Sequence, residues 1–253
     1  MKKGRVLLVP LIVCLFLQPC LGLPREEIQE FQTLWEDRPL GERIVFWAEK
    51  FIGVPYDDDP LGEYVTKATI VADERMDCMY LTFRAVELAL SHTPEDAVQI
   101  ALDKRFHSKG VLKEGRVTNY DDRFEYGEDM IESGKWGRDV TSEVGRMMKI
   151  KGSRGKDFAE ILSSDELTRG MPRLKSGDIL FFATKPEKRK VGEIIGHMGI
   201  IKVEKTGRNP EGREVFLIHA SGKKGRGGAV TKVLLKGYLS KTDFLGVKVT
   251  RFQ

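Results

Sequence analysis

Cysteine is scarce in this sequence: there are three in 253 residues, and Cys14 and Cys20 fall inside an N-terminal apolar stretch. That leaves Cys78 without a partner, which excludes a disulfide framework. Histidine is nearly as rare, with four. Beyond the N-terminal stretch, no apolar run approaches the ~20 residues needed to cross a bilayer. Repeats and low-complexity tracts are absent, so solenoid and fibrous architectures are out. No strand–loop–helix surrounds a glycine motif either. Gly225-Arg226-Gly227-Gly228 is a lone glycine-rich turn, which leaves no nucleotide or flavin site and no cofactor to expect. The run Asp57-Asp58-Asp59 lacks the spaced oxygen ligands and the glycine of a calcium loop.

What is present begins with a targeting pattern. Lys2, Lys3 and Arg5 precede the apolar Val6–Leu17, and small residues at Cys20 and Gly22 follow. The pattern predicts a secretory signal over residues 1–22, with an uncleaved anchor as the alternative. Its removal takes three of the 42 basic residues and none of the 38 acidic ones, leaving 39 against 38. A neutral mature chain gives no support to nucleic-acid or membrane binding. The expected location is periplasmic or extracellular. Residues 23–253 are long enough for a single domain with one good core.

Helical spacing predicts helices over Pro24–Asp37 and Pro39–Ile52, the second closed by Gly53. Residues 61–76 read as a strand or extended loop. Asp77 then caps a helix that starts at Cys78 and carries Leu81, Ala85, Leu88 and Ala89 on one face. Thr93-Pro94 opens another helix, reaching about Arg105. Residues of about 107–170 are mixed, with a short helix over Asp157–Leu162, and read as an insertion that shapes a groove. From Leu174 onward the pattern changes to strands at Ile179–Ala183, His197–Glu204, Glu214–His219, Val230–Leu235 and Phe244–Phe252. Helices first and about five antiparallel strands after give an α+β fold, with the helical half packed on the sheet.

Two features carry chemistry. A thiol in the first turn of a helix faces unpaired N–H groups and the positive end of the macrodipole, which lowers its pKa below the ~8.5 of a free cysteine. The plainer reading of Cys78 is a small buried residue on a core helix. The second feature is a pair of histidines. The turn around Asn209 makes His197 and His219 direct or diagonal neighbours on adjacent strands. One can accept the thiol proton while the other holds its ring. Zinc on one cysteine and two histidines competes, but closely spaced ligand pairs are missing.

These residues resemble a known family. Gly53-Val54-Pro55-Tyr56, Asp77-Cys78, Lys175-Ser176-Gly177-Asp178-Ile179-Leu180-Phe181-Phe182, Gly196-His197-Met198-Gly199-Ile200 and Ile218-His219-Ala220-Ser221 occur in the order seen in NlpC-type papain-like cell-wall hydrolases. The closer resemblance is to the exported bacterial N-acetylmuramoyl-L-alanine amidase-like family, over roughly residues 40–252. It implies a papain-like fold with Cys78 as nucleophile, His197 as general base and His219 as the orienting residue. Tyr56 and the Cys78 N–H would form the oxyanion hole, and Asp77 would sit beside the nucleophile near a substrate amine or amide. Gly177 and Asp178 would be scaffold. Two positions depart from the family: Tyr80 stands where threonine is usual, and Gly196 where serine commonly precedes the base. The implied substrate is peptidoglycan or a muropeptide, cut at the muramoyl–peptide bond or within the stem. Acyl transfer at the same site, including transfer to lipid, and a non-catalytic cell-wall-binding module are the alternatives.

Overall fold

The computed structural model describes residues 23–206, 212–223 and 225–253; the expected signal at 1–22 lies outside the described residues. The N-terminal half is built from helices α1 (Arg25–Trp35), α2 (Leu40–Lys50), the single turn α3 (Glu63–Thr66), α4 (Cys78–Leu90) and α5 (Pro94–Lys104). All but α3 begin where the sequence supplies a start signal. Pro24 and Pro39 precede α1 and α2, the Asp77 carboxylate accepts from Tyr80 N at 2.6 Å, and Thr93 Oγ1 accepts from Asp96 N at 3.1 Å. Residues 61–76, read as extended, contain the short α3 within loop.

A small hairpin, β1 (Leu112–Lys113) and β2 (Arg116–Val117), is followed by α6 (Gly127–Ser133), β3 (Arg138–Asp139) and α7 (Thr141–Val144). Then come β4 (Met147–Lys151), β5 (Phe158–Ser163), α8 (Ser164–Gly170), β6 (Ile179–Ala183), β7 (Ile195–Lys205), β8 (Arg213–Lys223), β9 (Gly227–Leu234), α9 (Leu235–Leu239) and β10 (Gly246–Arg251). The main sheet has eight strands in the order β4-β5-β10-β6-β7-β8-β9, with β3 also paired to β10, and every pairing is antiparallel. The five expected strands are there. The sheet is larger because β3, β4 and β5 come from the segment read as an insertion. Asp157–Leu162 is accordingly no helix: Phe158–Ser163 pairs with β4 through Met147↔Leu162 to Lys151↔Phe158. Partner strands on both sides override a weak local helical spacing.

The two faces of the sheet are covered differently. On one, α2 and α4 bury Ile44, Trp47, Leu81, Ala85 and Leu88 against Phe181, Met198, Ile200 and Ile218. On the other, α7, α8 and α9 close over Leu180, Phe182, Ile201, Leu217 and Val247. The fold is therefore α+β, with the helical half on one face as the sequence indicated. Among the described residues, no helix is long and apolar enough to cross a membrane.

Candidate active site

Helix α4 is almost wholly buried from Tyr80 to Ala89, and it reaches the surface at its N-terminus. Asp77 is consumed there as the cap, which leaves Cys78 as the first helical residue, part-exposed at the floor of a groove. The groove encloses about 400 Å³ and is lined by Asp77, Cys78 and Met79 on the floor. Arg123–Gly127, Val191 and Ile195–Met198 also line it, together with Pro60, Leu61 and Tyr64. His197 lines the same groove.

The two histidines meet as the hairpin register requires. Strands β7 and β8 pair from Ile200↔Ile218 to Lys205↔Arg213, a register that makes His197 and His219 diagonal neighbours. His197 Nε2 lies 3.0 Å from His219 Nδ1. Gly199 permits this approach, since a Cβ there would stand 2.8 Å from Ile218 O and 3.0 Å from His219 Cβ. An aromatic cage holds the ring of His197: Phe244 stacks on it at 6.0 Å, and Phe182 and Tyr238 lie at 5.8 and 6.1 Å. Tyr238 also meets the His219 ring edge-on at 4.8 Å. Because His219 occupies Nε2, the other ring nitrogen of His197 is the one left for chemistry.

Protonation departs from the sequence expectation. Burial, reinforced by the nearby Asp77 carboxylate, pushes the Cys78 thiol up to about 12. The backbone N–H groups of Met198, Cys78 and Met79 favour the thiolate but do not reverse this. Desolvation outweighs the helix N-terminus. His197 is pushed down to about 3 by burial and by His219, and His219 to about 4 by burial. Both shifts favour the uncharged forms, a thiol and an imidazole lining one groove. Among the described residues no direct hydrogen bond joins Cys78 Sγ to His197.

Tyr56 lies within electrostatic reach of Cys78, and burial foremost raises its hydroxyl to about 12, so it remains a hydrogen-bond donor at neutral pH. Its backbone is fixed by Tyr56 N donating to Gly228 O at 2.9 Å and by a bridge to Met76. Asp77 is raised to about 6, chiefly by burial. Its carboxylate both caps α4 and lines the groove.

The two departures from the family pattern have local explanations. The Tyr80 hydroxyl turns into the core, donating to Asp73 Oδ1 at 2.8 Å and accepting from Ala72 N at 2.6 Å, so it makes no groove contact. A Cβ on Gly196 would stand 2.2 Å from Thr184 Oγ1, so the threonine fills the space a serine needs. Gly177 and Asp178 are scaffold: Asp178 accepts from Lys175 N at 2.8 Å and binds Arg251 through both oxygens at 2.6 and 2.7 Å. Among the described residues no group of three or more His, Cys, Asp or Glu side chains is placed to hold a metal.

Sequence reasoning missed the cage. Tyr238 sits in a five-residue helix with no periodic signal, and within electrostatic reach of Cys78. Phe244 was expected at the start of a strand, but β10 begins at Gly246 and frees it to stack on His197.

No protein-family model and no curated protein matches the chain. Solved structures do. The chain is similar to an N-acetylmuramoyl-L-alanine amidase from Bacteroides uniformis, with 20% identity, TM-score 0.62, and 84% of this chain and 98% of that one covered. A Legionella pneumophila protein carrying the family model DUF1460 matches with 14% identity, TM-score 0.64, and 89% and 93% covered. A Bacteroides fragilis protein described as a candidate xylanase matches with 21% identity, TM-score 0.59, and 82% and 100% covered. At these identities the likeness establishes a shared fold, and it extends over nearly the full length of each neighbour.

Proposed function

We propose that the chain is a cysteine-dependent amidase or peptidase of the NlpC-type papain-like class, exported to act on peptidoglycan or a muropeptide. The observation that carries this reading is the 3.0 Å contact between His197 Nε2 and His219 Nδ1, in a groove whose floor carries Cys78. The amidase fold shared with the Bacteroides uniformis protein supports the substrate class.

The neutral resting pair dictates how the reaction starts. Donation from His197 Nε2–H to His219 Nδ1 fixes the tautomer and leaves Nδ1 of His197 with a free lone pair. As Cys78 Sγ attacks the amide carbonyl carbon, its proton passes to that nitrogen, so thiolate develops only as it is consumed. The Cys78 N–H and the Tyr56 hydroxyl stabilise the oxyanion. Collapse breaks the C–N bond, and the imidazolium returns its proton to the leaving amine, giving a thioester. Water then attacks the thioester carbonyl, His197 takes its proton, and Sγ leaves and regains a proton.

Glycoside hydrolysis, the activity suggested by the xylanase description, uses two carboxylates facing each other across the bond. Two carboxylates line this groove. Asp77 caps α4, and Glu125 binds Arg123 at 2.7 Å, so the cysteine reading fits better. The test is purified Cys78→Ala on peptidoglycan digests read by mass. The variant is expected to fold, bind substrate and release no amine; release at the wild-type rate would remove the thiol from the mechanism.

A further inference from the structure

The pairing of β6 with β7 slips at the residue before His197. Phe182 faces His197 while Ala183 faces Ile195, so Gly196 is the extra residue of a bulge. A bulge re-aims the side chain that follows it, at the expense of ladder hydrogen bonds. Two backbone N–H groups just ahead of the bulge are bonded from outside the sheet. Glu128, on α6 and only 6% exposed, accepts from Ile194 N at 3.1 Å through Oε1 and from Ile195 N at 3.2 Å through Oε2. Consecutive N–H groups of a regular strand point to opposite sides. Here they converge on one carboxylate, which a bent, nest-like entry to the strand allows.

The clamp is itself supported. Gly127 brings α6 against β7, since a Cβ there would stand 2.6 Å from Ile195 Cγ2. Arg154 Nη1 lies 3.5 Å from Glu128 Oε1, and the same guanidinium binds Asp129 and rests 3.8 Å over the Tyr126 ring. Arg154 itself stands in a left-handed backbone conformation, φ 54°. Tyr126 and Gly127 line the groove, so wall and strand are braced by one ion cluster.

We propose that Glu128 is a positioning residue for His197: its carboxylate holds the bulged entry of β7 and thereby aims the imidazole at the groove. The proposal rests on the reading of His197 as the base. Glu128→Gln keeps the shape but turns an amide N–H toward one of the two backbone donors. On a soluble muropeptide, kcat is expected to fall about 100-fold with KM nearly unchanged, the scale of a misplacement near 1 Å. In a His197→Ala background the same substitution should cost nothing further. Unchanged kcat, or an equal additional loss without His197, overturns the proposal.

A readout independent of turnover is the ring N–H shared by His197 and His219, followed by NMR in wild type and Glu128→Gln. Its loss in the variant supports the clamp, and its persistence unshifted overturns it. A wild type without turnover would sink the hydrolase reading and still leave this arm decisive. Should Glu128→Gln fail to fold, Arg154→Gln replaces it: kcat is expected to drop about fivefold, the worth of a part-exposed ion pair, and no change overturns the proposal.

Discussion

At the scale of residues, the groove brings together a thiol and an imidazole whose burial favours their uncharged forms. Cys78 is pushed up to about 12 and His197 down to about 3, both by burial before anything else. Alkylation of Cys78 by iodoacetamide should therefore be slow near neutral pH and rise about tenfold per pH unit through the alkaline range, as the thiolate fraction does. A rate that is already on a plateau below about pH 7 would show a resting ion pair and contradict this assignment. The placement of Cys78 at the start of a capped helix and the meeting of His197 with His219 were legible in the sequence, because a cap and a hairpin register are local facts. Their protonation was not. The helix N-terminus and the adjacent Asp77 are visible in the sequence, whereas the burial of the thiol, which outweighs the N-terminus, arises only when the chain folds. Tyr238 and Phe244 were hidden for the same reason, since neither stands in a periodic element that points at His197.

At the scale of elements, the position of the thiol depends on a charged network buried beneath α4. Tyr80 binds Asp73, and Asp73 holds Arg84 through two bonds of 2.8 and 2.9 Å. Arg84 approaches Glu87 at 3.5 Å, and Glu87 holds Arg105 of the α5 end through bonds of 2.6 and 2.7 Å. Arg105 also lies over the rings of Tyr80, Phe83 and Tyr64. Two guanidiniums balance two carboxylates, so the network is neutral, and removing one member strands a charge. Arg105→Met should cost about 3–5 kcal/mol of stability, measured by denaturant unfolding, because Glu87 is left buried without its bidentate partner. A loss within about 0.5 kcal/mol, the range of an ordinary surface substitution, would show that the network does not hold α4. The helix itself was readable from Asp77 and its apolar face. The network was not, because Asp73, Arg84, Glu87 and Arg105 look like ordinary solvated charges in a linear chain. Strands β4 and β5 were missed in a comparable way: their identity comes from pairing with each other and with β10.

At the scale of the whole molecule, the histidine pair makes the fold sensitive to acid. His219 falls from an ordinary 6.5 to about 4 and His197 to about 3. A group depressed in the folded state contributes stability above its unfolded pKa and loses that contribution as pH falls through the folded one. The pair therefore stabilises fully above about pH 6.5 and progressively less toward about pH 4 and below. Asp77, raised from 3.8 to about 6, works in the opposite sense, its contribution being complete below its unfolded value and lost as pH rises through the folded one. Comparing Tm across that range in wild type and His219→Gln isolates the histidine part, and the variant should show the flatter acid limb. Parallel curves would show that the buried imidazoles are protonated together with the folded protein.

The division of labour between the halves of the chain also has a temporal meaning. Cys78 comes from the helical half, whereas His197 and His219 come from strands that are made long afterwards. Neither half contains a working pair. A chain whose C-terminal strands have not yet been made carries the thiol without either of these imidazoles, so the constellation cannot exist before the fold does. The site is complete only when β7 and β8 dock against α4, so whatever chemistry the groove supports is switched on by folding itself.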